Sequence, residues 1–261
     1  RGRGRRPDRR EGARGGVSRE ASEREGDLLR VRIDAAERRN ALTPAMLDAL
    51  TAQISGSGHG VIGIVLTGSA KVFSAGADFG SLTGTAADRH YDTAVADVVQ
   101  AIADARCPVA AAIEGPCLGA AADIALSCDL RVAGQGAFIQ IPAVRLGLLY
   151  SPAAIARLAR AFPRDTVRRL LVLGERFDAA TALQQGLVSM VVPTGEAASQ
   201  ALQLLAGLDP ARAEALTATR DLLNELESMH YDPDRWEAVR LELLDSPARR
   251  QAIDEAKRRH A

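Results

Sequence analysis

Residues 107–133 read CPVAAAIEGPCLGAAADIALSCDLRVA. The stretch opens on an apolar run, Val109 to Ile113, bounded by Pro108 and by Glu114-Gly115, and short enough for a buried strand. A loop of small residues follows, Gly115-Pro116-Cys117-Leu118-Gly119-Ala120, and then an alanine-rich segment that reads as a helix. Leu130 to Ala133 is a further strand. Strand, loop, helix and strand in this order imply parallel β/α units.

The same handover occurs upstream. Val61 to Thr67 reads as a buried strand, and FSAGADFG, residues 73–80, strips the side chains down to hydrogens and methyls. Small residues are needed where the backbone takes unusual angles or where a ligand must lie against the peptide itself. Two backbone N–H groups converging from such loops would make an oxyanion hole. That device stabilises a thioester carbonyl as it becomes an enolate, and one donor contributes about 3–4 kcal/mol. Either loop alone also reads as a tight β/α turn. Neither is a phosphate loop, because GxxxxGK[ST] is missing and GxGxxG follows neither strand.

Outward from these loops, Leu28 to Ile33 alternates as a half-buried strand. Ala45 to Ile54 has helical spacing, with Thr43 as N-cap and Pro44 at the first helical position. Asp92 to Ala105 reads as an amphipathic helix, and after Ser151 the chain reads as almost entirely helical, with breaks near Gly174, Pro193 and Asp209-Pro210. The expected organisation is a tail over 1–26, a β/α core over 27–195 and a helical region over 196–261. The tail is crowded with Arg, Gly, Ser and Glu and has too little apolar surface to order itself. RNA binding through it is a minor alternative.

The 261 residues carry 33 basic and 33 acidic side chains, so no net charge draws the protein to nucleic acid or to a membrane surface. No apolar run is long enough to span a bilayer. The three cysteines and four histidines show no metal-ligand spacing, so no metal site is expected, and an odd cysteine count suits the cytoplasm.

ERRNALTPAML (37–47), GIVLTGSAKVFSAGAD (63–78) and the opening stretch together resemble the enoyl-CoA hydratase/isomerase, or crotonase, superfamily, over about Leu28 to Ala261. The resemblance implies an α/β fold, a crotonase-like spiral of ββα units with a C-terminal helical trimerisation region, assembled as a homotrimer or hexamer. It implies an acyl-CoA or enoyl-CoA thioester as ligand and no cofactor beyond the coenzyme A of that substrate. Carried over, the N–H groups of Ala77 and Ala120 are the oxyanion donors, although the Ala120 methyl narrows the slot. Arg39, Ala41, Ala75, Gly76, Asp78, Phe79 and Gly119 fall in the CoA-contact segments. Asp78 reads equally as a cap or turn carboxylate.

The carboxylates depart from the family pattern. A hydratase of this kind sets two glutamates around one water. Asp123 takes the place of the first, one methylene shorter, with its carboxylate about 1.5 Å further back. Ala143 takes the place of the second. A further position, where some relatives hold an aspartate, is Ser151, beside Tyr150. Cys117 reads as a small buried residue rather than a nucleophile, and Tyr150 as a pocket wall that is a poor base near its ordinary pKa. The expected function is a CoA-thioester lyase or isomerase of fatty-acid metabolism with Ala77 and Ala120 as donors and Asp123 as sole acid/base. The rival is a non-catalytic or weakly catalytic acyl-CoA-binding protein.

Overall fold

The computed structural model describes residues 22–260. The chain begins with an antiparallel ribbon of β1 (Ser22–Glu25) and β2 (Leu28–Arg32), turned by Gly26 at φ 63°. The unstructured segment expected over 1–26 is corrected here. Ser22–Glu25 has little apolar surface, yet its backbone pairs with β2 from Ser22↔Val31 to Glu25↔Leu28, and a ladder needs only N–H and C=O groups. The remainder of that segment, 1–21, lies outside the described residues.

Helix α1 (Pro44–Ser55) starts as expected, with the Thr43 hydroxyl accepting from Met46 N at 3.3 Å. Next come β3 (Gly63–Thr67), α2 (Arg89–Ala103), β4 (Val109–Ile113), β5 (Pro116–Leu118), α3 (Ala120–Leu126), β6 (Leu130–Gly134) and β7 (Phe138–Gln140). The chain continues through α4 (Pro152–Ala161), α5 (Arg164–Leu171), β8 (Phe177–Asp178), α6 (Ala179–Gln184), β9 (Met190–Val192) and α7 (Ala197–Ala206). It closes with α8 (Ala213–Ser228), α9 (Pro233–Leu244) and α10 (Pro247–His260). Strands β8 and β9 interrupt the run expected to be helical after Ser151. Two and three residues are too few to display a period.

Among the described residues, the main sheet runs β1-β2-β3-β4-β6-β9, parallel from β2 onward, and a smaller sheet runs β5-β7-β8. Both faces of the parallel strands are covered, so β3 and β4 read as unbroken apolar runs rather than alternating ones. Ile64, Leu66, Ala111 and Ile113 pack with residues of α1, α2 and α3, while Val65, Ala110 and Ala112 pack beneath Ala197, Ala201 and Leu205 of α7. Helix α7, although it follows residue 195, is therefore part of the core layer. At Gly63 an added Cβ would lie 2.9 Å from the Leu205 side chain, so glycine here sets how close α7 can come.

Arg220 fastens α8 to this core. It is buried, its Nε donates to both Asp129 carboxylate oxygens at 2.9 Å, and its guanidinium also reaches the carbonyls of Ile102, Ala103 and Ala105. The Ala103 and Ala105 carbonyls, at and just past the end of α2, have no backbone donor among the described residues, so one cation satisfies both.

Candidate active site

The two small-residue loops are stitched together. Ser74 N donates to the Pro116 carbonyl at 3.0 Å and Leu118 N donates to the Ser74 carbonyl at 3.1 Å, a short parallel bridge between the loops. On the other side, Leu42 N donates to the Gly76 carbonyl at 2.7 Å and Asp78 N to the Leu42 carbonyl at 3.0 Å. In such a bridge the residue between the two bonded ones, Ala77, turns its own N–H away from Leu42. Among the described residues that N–H has no acceptor. Ala120 opens α3 without a side-chain cap, and its N–H also has no acceptor among them.

Gly76 has φ 83°, and a Cβ there would lie 2.6 Å from the Leu118 carbonyl oxygen. Gly119 also has positive φ, 54°, and its N–H is occupied by the Gln140 carbonyl at 2.9 Å.

Asn40 and Ser74 hold the first loop in place. Asn40 is fully buried at φ 56°, a conformation asparagine tolerates better than most residues. Its Oδ1 accepts from Ala35 N at 3.0 Å, and its Nδ2 donates to the Val72 and Phe73 carbonyls at 3.0 and 3.1 Å. The Ser74 hydroxyl donates to the Asn40 carbonyl at 2.6 Å and accepts from Gly76 N at 3.1 Å. Ala75 N donates to the Arg39 carbonyl at 3.0 Å. The RRNAL segment is thereby laced to the glycine loop.

Asp123 sits in the first turn of α3, 3% exposed. Its Oδ1 accepts from Arg157 Nη2, an ion pair, and its Oδ2 accepts from the Tyr150 hydroxyl at 3.3 Å. Burial raises the Asp123 carboxyl above the ordinary aspartate value, and the adjacent Arg157 guanidinium pulls it back only in part. Tyr150 is pushed well up, by burial first and then by the Asp123 charge. Its phenol therefore stays protonated.

Ala143, buried at the start of a short 3-10 turn, and Tyr150 line a cavity of about 590 Å³ with Leu149, Ile155, Val167 and Leu171. Another cavity, of about 510 Å³, lies among α8, α9 and α10 and holds none of the residues singled out in the sequence.

The remaining sequence-derived residues are dispersed around the loops. Asp78 accepts from Gly80 N at 3.0 Å and from Arg38 Nη1 at 3.2 Å, so its carboxylate is a cap and an ion-pair partner. Phe79 is 68% exposed. Arg39 is exposed and Ala41 half-buried. Cys117 is fully buried, with its thiol raised well above the ordinary value by desolvation, which suits packing rather than nucleophilic attack. Ser151 stands at the N-cap of α4, and its hydroxyl makes no cap hydrogen bond. Sequence reasoning missed Asn40, Ser74 and Arg157. The signal for Arg157 was its place on α4, three residues after buried Ala154 and one before buried Leu158. An arginine inside an apolar stripe calls for an acidic partner.

A solved structure of an enoyl-CoA hydratase/isomerase family protein from Hyphomonas neptunium superposes with a TM-score of 0.82 at 28% identity, covering 90% of this chain and 94% of that one. The architecture is the crotonase fold. The family model described as Enoyl-CoA hydratase/isomerase matches residues 23–251, and the chain belongs to that family. It is similar to a protein of Mycobacterium tuberculosis named as a probable enoyl-CoA hydratase, with 33% identity over 178 residues, 68% of this chain and 72% of the relative. It is also similar to the mitochondrial enoyl-CoA hydratase domain-containing protein 3 of Rattus norvegicus, with 34% identity over 190 residues, 70% and 63% of the two chains.

Proposed function

We propose that the protein binds fatty enoyl-CoA thioesters and acts on them as a lyase or isomerase, slowly, through one carboxylate. The observation that carries this reading is the pair of stitched loops, which leaves the Ala77 and Ala120 N–H groups without acceptors among the described residues, with buried Asp123 three residues along α3 from Ala120. These two groups hold the thioester oxygen as negative charge develops on it. Asp123 takes a proton from water as the water oxygen bonds C3, the C2=C3 pair moves into the enolate, and the same carboxyl returns its proton to C2. The apolar cavity beside Tyr150 receives the acyl chain. Backbone of Arg39, Ala41, Ala75, Gly76, Asp78, Phe79 and Gly119 contacts the coenzyme A portion, and no further cofactor takes part.

With Ala143 in place of a second acid, hydration runs roughly 10²–10⁴ below a fully equipped site. Purified protein with crotonyl-CoA tests this, with binding measured alongside. Slow turnover that vanishes in Asp123→Asn supports the reading, and turnover unaffected by that change overturns it.

Ala143, which cannot titrate and stands buried at the wall of the cavity beside Tyr150, favours a second reading, an acyl-CoA-binding protein without catalysis. Tight binding with no turnover would establish it. Assembly as a trimer or hexamer is part of the proposal, supported by exposed Leu223, Leu226, Met229 and Tyr231 at the end of α8 and just beyond, and checked by sedimentation. Three buried, unpaired cysteines suit a cytoplasmic setting.

A further inference from the structure

We propose that Arg157 is a positioning residue that keeps the Asp123 carboxylate ionised and aimed, so that the pair sets the pH range in which this site has a working base. The proposal rests on the reading of Asp123 as the acid/base.

A carboxylate with 4% of its side chain exposed would ordinarily give up its charge and take a proton. Arg157 prevents this from one side. It reaches across from α4 and occupies Oδ1; 28% of its side chain is exposed, although its Nε is buried and has no hydrogen-bond partner among the described residues. Tyr150 fixes the other oxygen from the segment before α4. With Oδ1 and Oδ2 each held by a donor on a different element, the carboxylate plane cannot rotate freely. Asp92, at an exposed position of α2, adds a weaker like charge that opposes ionisation of Asp123. Arg157 is thus the one cation among the described groups acting on this carboxyl. A merely structural pair between α3 and α4 would serve as well with its charge state unlinked to proton transfer, and that difference can be measured.

The probe is butyryl-CoA in deuterated water, which has no double bond to hydrate. The Asp123 carboxylate removes a C2 proton, the electron pair moves to the thioester oxygen, and the enolate recovers a deuteron at C2. Proton NMR follows exchange against pH, calorimetry follows binding, and the carboxyl resonance of Asp123 in carbon-13-labelled protein, assigned by its loss in Asp123→Asn, gives ionisation directly. In Arg157→Met the exchange profile and the carboxyl midpoint should both move up by about one to three pH units, the usual reach of a neighbouring opposite charge. Binding should stay within about twofold, and Arg157→Lys should restore the midpoint to within about half a unit. An Asp123 midpoint unmoved in Arg157→Met overturns the proposal, as does joint loss of exchange and binding in a folded variant. Should Arg157→Met not fold, Arg157→Lys decides alone, and a midpoint one unit or more from wild type overturns it. Wild-type protein that binds butyryl-CoA but exchanges nothing refutes the catalytic reading of Asp123, and the carboxyl resonance then still tests what Arg157 does.

Discussion

The Cα of Gly76 lies so close to the Leu118 carbonyl that a methyl group on it would sit 2.6 Å from that oxygen. This contact joins the two loops that carry Ala77 and Ala120. At φ 83° any side chain at 76 is strained as well. Gly76→Ala should fold, with the loops forced apart, and should bind acyl-CoA about tenfold or more weakly, since 1.4 kcal/mol corresponds to a factor of ten. Calorimetry on a variant of unchanged circular dichroism checks this; wild-type affinity would mean that the loops do not form the site.

Asn40→Ala should be among the costly substitutions. It leaves Ala35 N and the Phe73 carbonyl without their partner, removes one of three donors to the Val72 carbonyl, and puts alanine at φ 56°. A loss of roughly 2–4 kcal/mol is expected from the unsatisfied groups. Thermal unfolding measures it, and a change below about 0.5 kcal/mol would show that the network carries little.

Acyl-CoA binding should survive Asp123→Ala. In the function proposed above the affinity comes from peptide groups and the apolar cavity, none of which needs that carboxylate. Loss of binding in a folded variant would mean that the site has been misplaced.

The double change Asp123→Glu with Ala143→Glu should raise crotonyl-CoA hydration, by up to about 10²-fold, and each change alone should do less because the groups act as a unit. The apolar cavity wall around position 143 tends to keep a new glutamate protonated, which would mute the gain. Native turnover already at tens per second or more, the ordinary enzyme range, would show that nothing was missing.

Alkaline stability should follow the buried thiols. Burial pushes Cys107 up to about 11 and Cys128 up to about 12, from an ordinary value of 9.0. Their neutral forms are favoured by folding, so their contribution is complete below about pH 9 and is lost as pH rises towards 11 and 12. Tyr91, also raised by burial, acts in the same direction at higher pH. The melting temperature should fall steadily from pH 9 upward, and less steeply in Cys107→Ala; a flat profile would contradict the burial of these groups.

Much of this was legible in the sequence, for identifiable reasons. The apolar runs at 63–67 and 109–113 are unbroken because both faces of those strands are covered. The glycines announced the loop contact because no other residue fits at Gly76. What escaped notice depends on distant partners. β1 has no apolar pattern and exists because β2 lies beside it. Arg157 lies 34 residues from Asp123, and no local spacing predicts that the two meet. The role of Asn40 was hidden for the same reason, since its acceptors come from residues 72 and 73.

The two halves of the site differ in how inheritance can alter them. The proposed Ala77 and Ala120 donors are main-chain atoms, so a point mutation can abolish them only by inserting proline or by shifting the chain itself. Proton handling, in the function proposed above, rests on Asp123, Tyr150 and Arg157, hydrogen-bonded side chains that a single codon change can erase one at a time. A lineage of such proteins can therefore drift from catalyst to carrier and back while its grip on the thioester persists. Under the proposed function, sequence divergence at 123, 143 and 157 would record changes of chemistry, and divergence at 76 a weakened hold on the ligand.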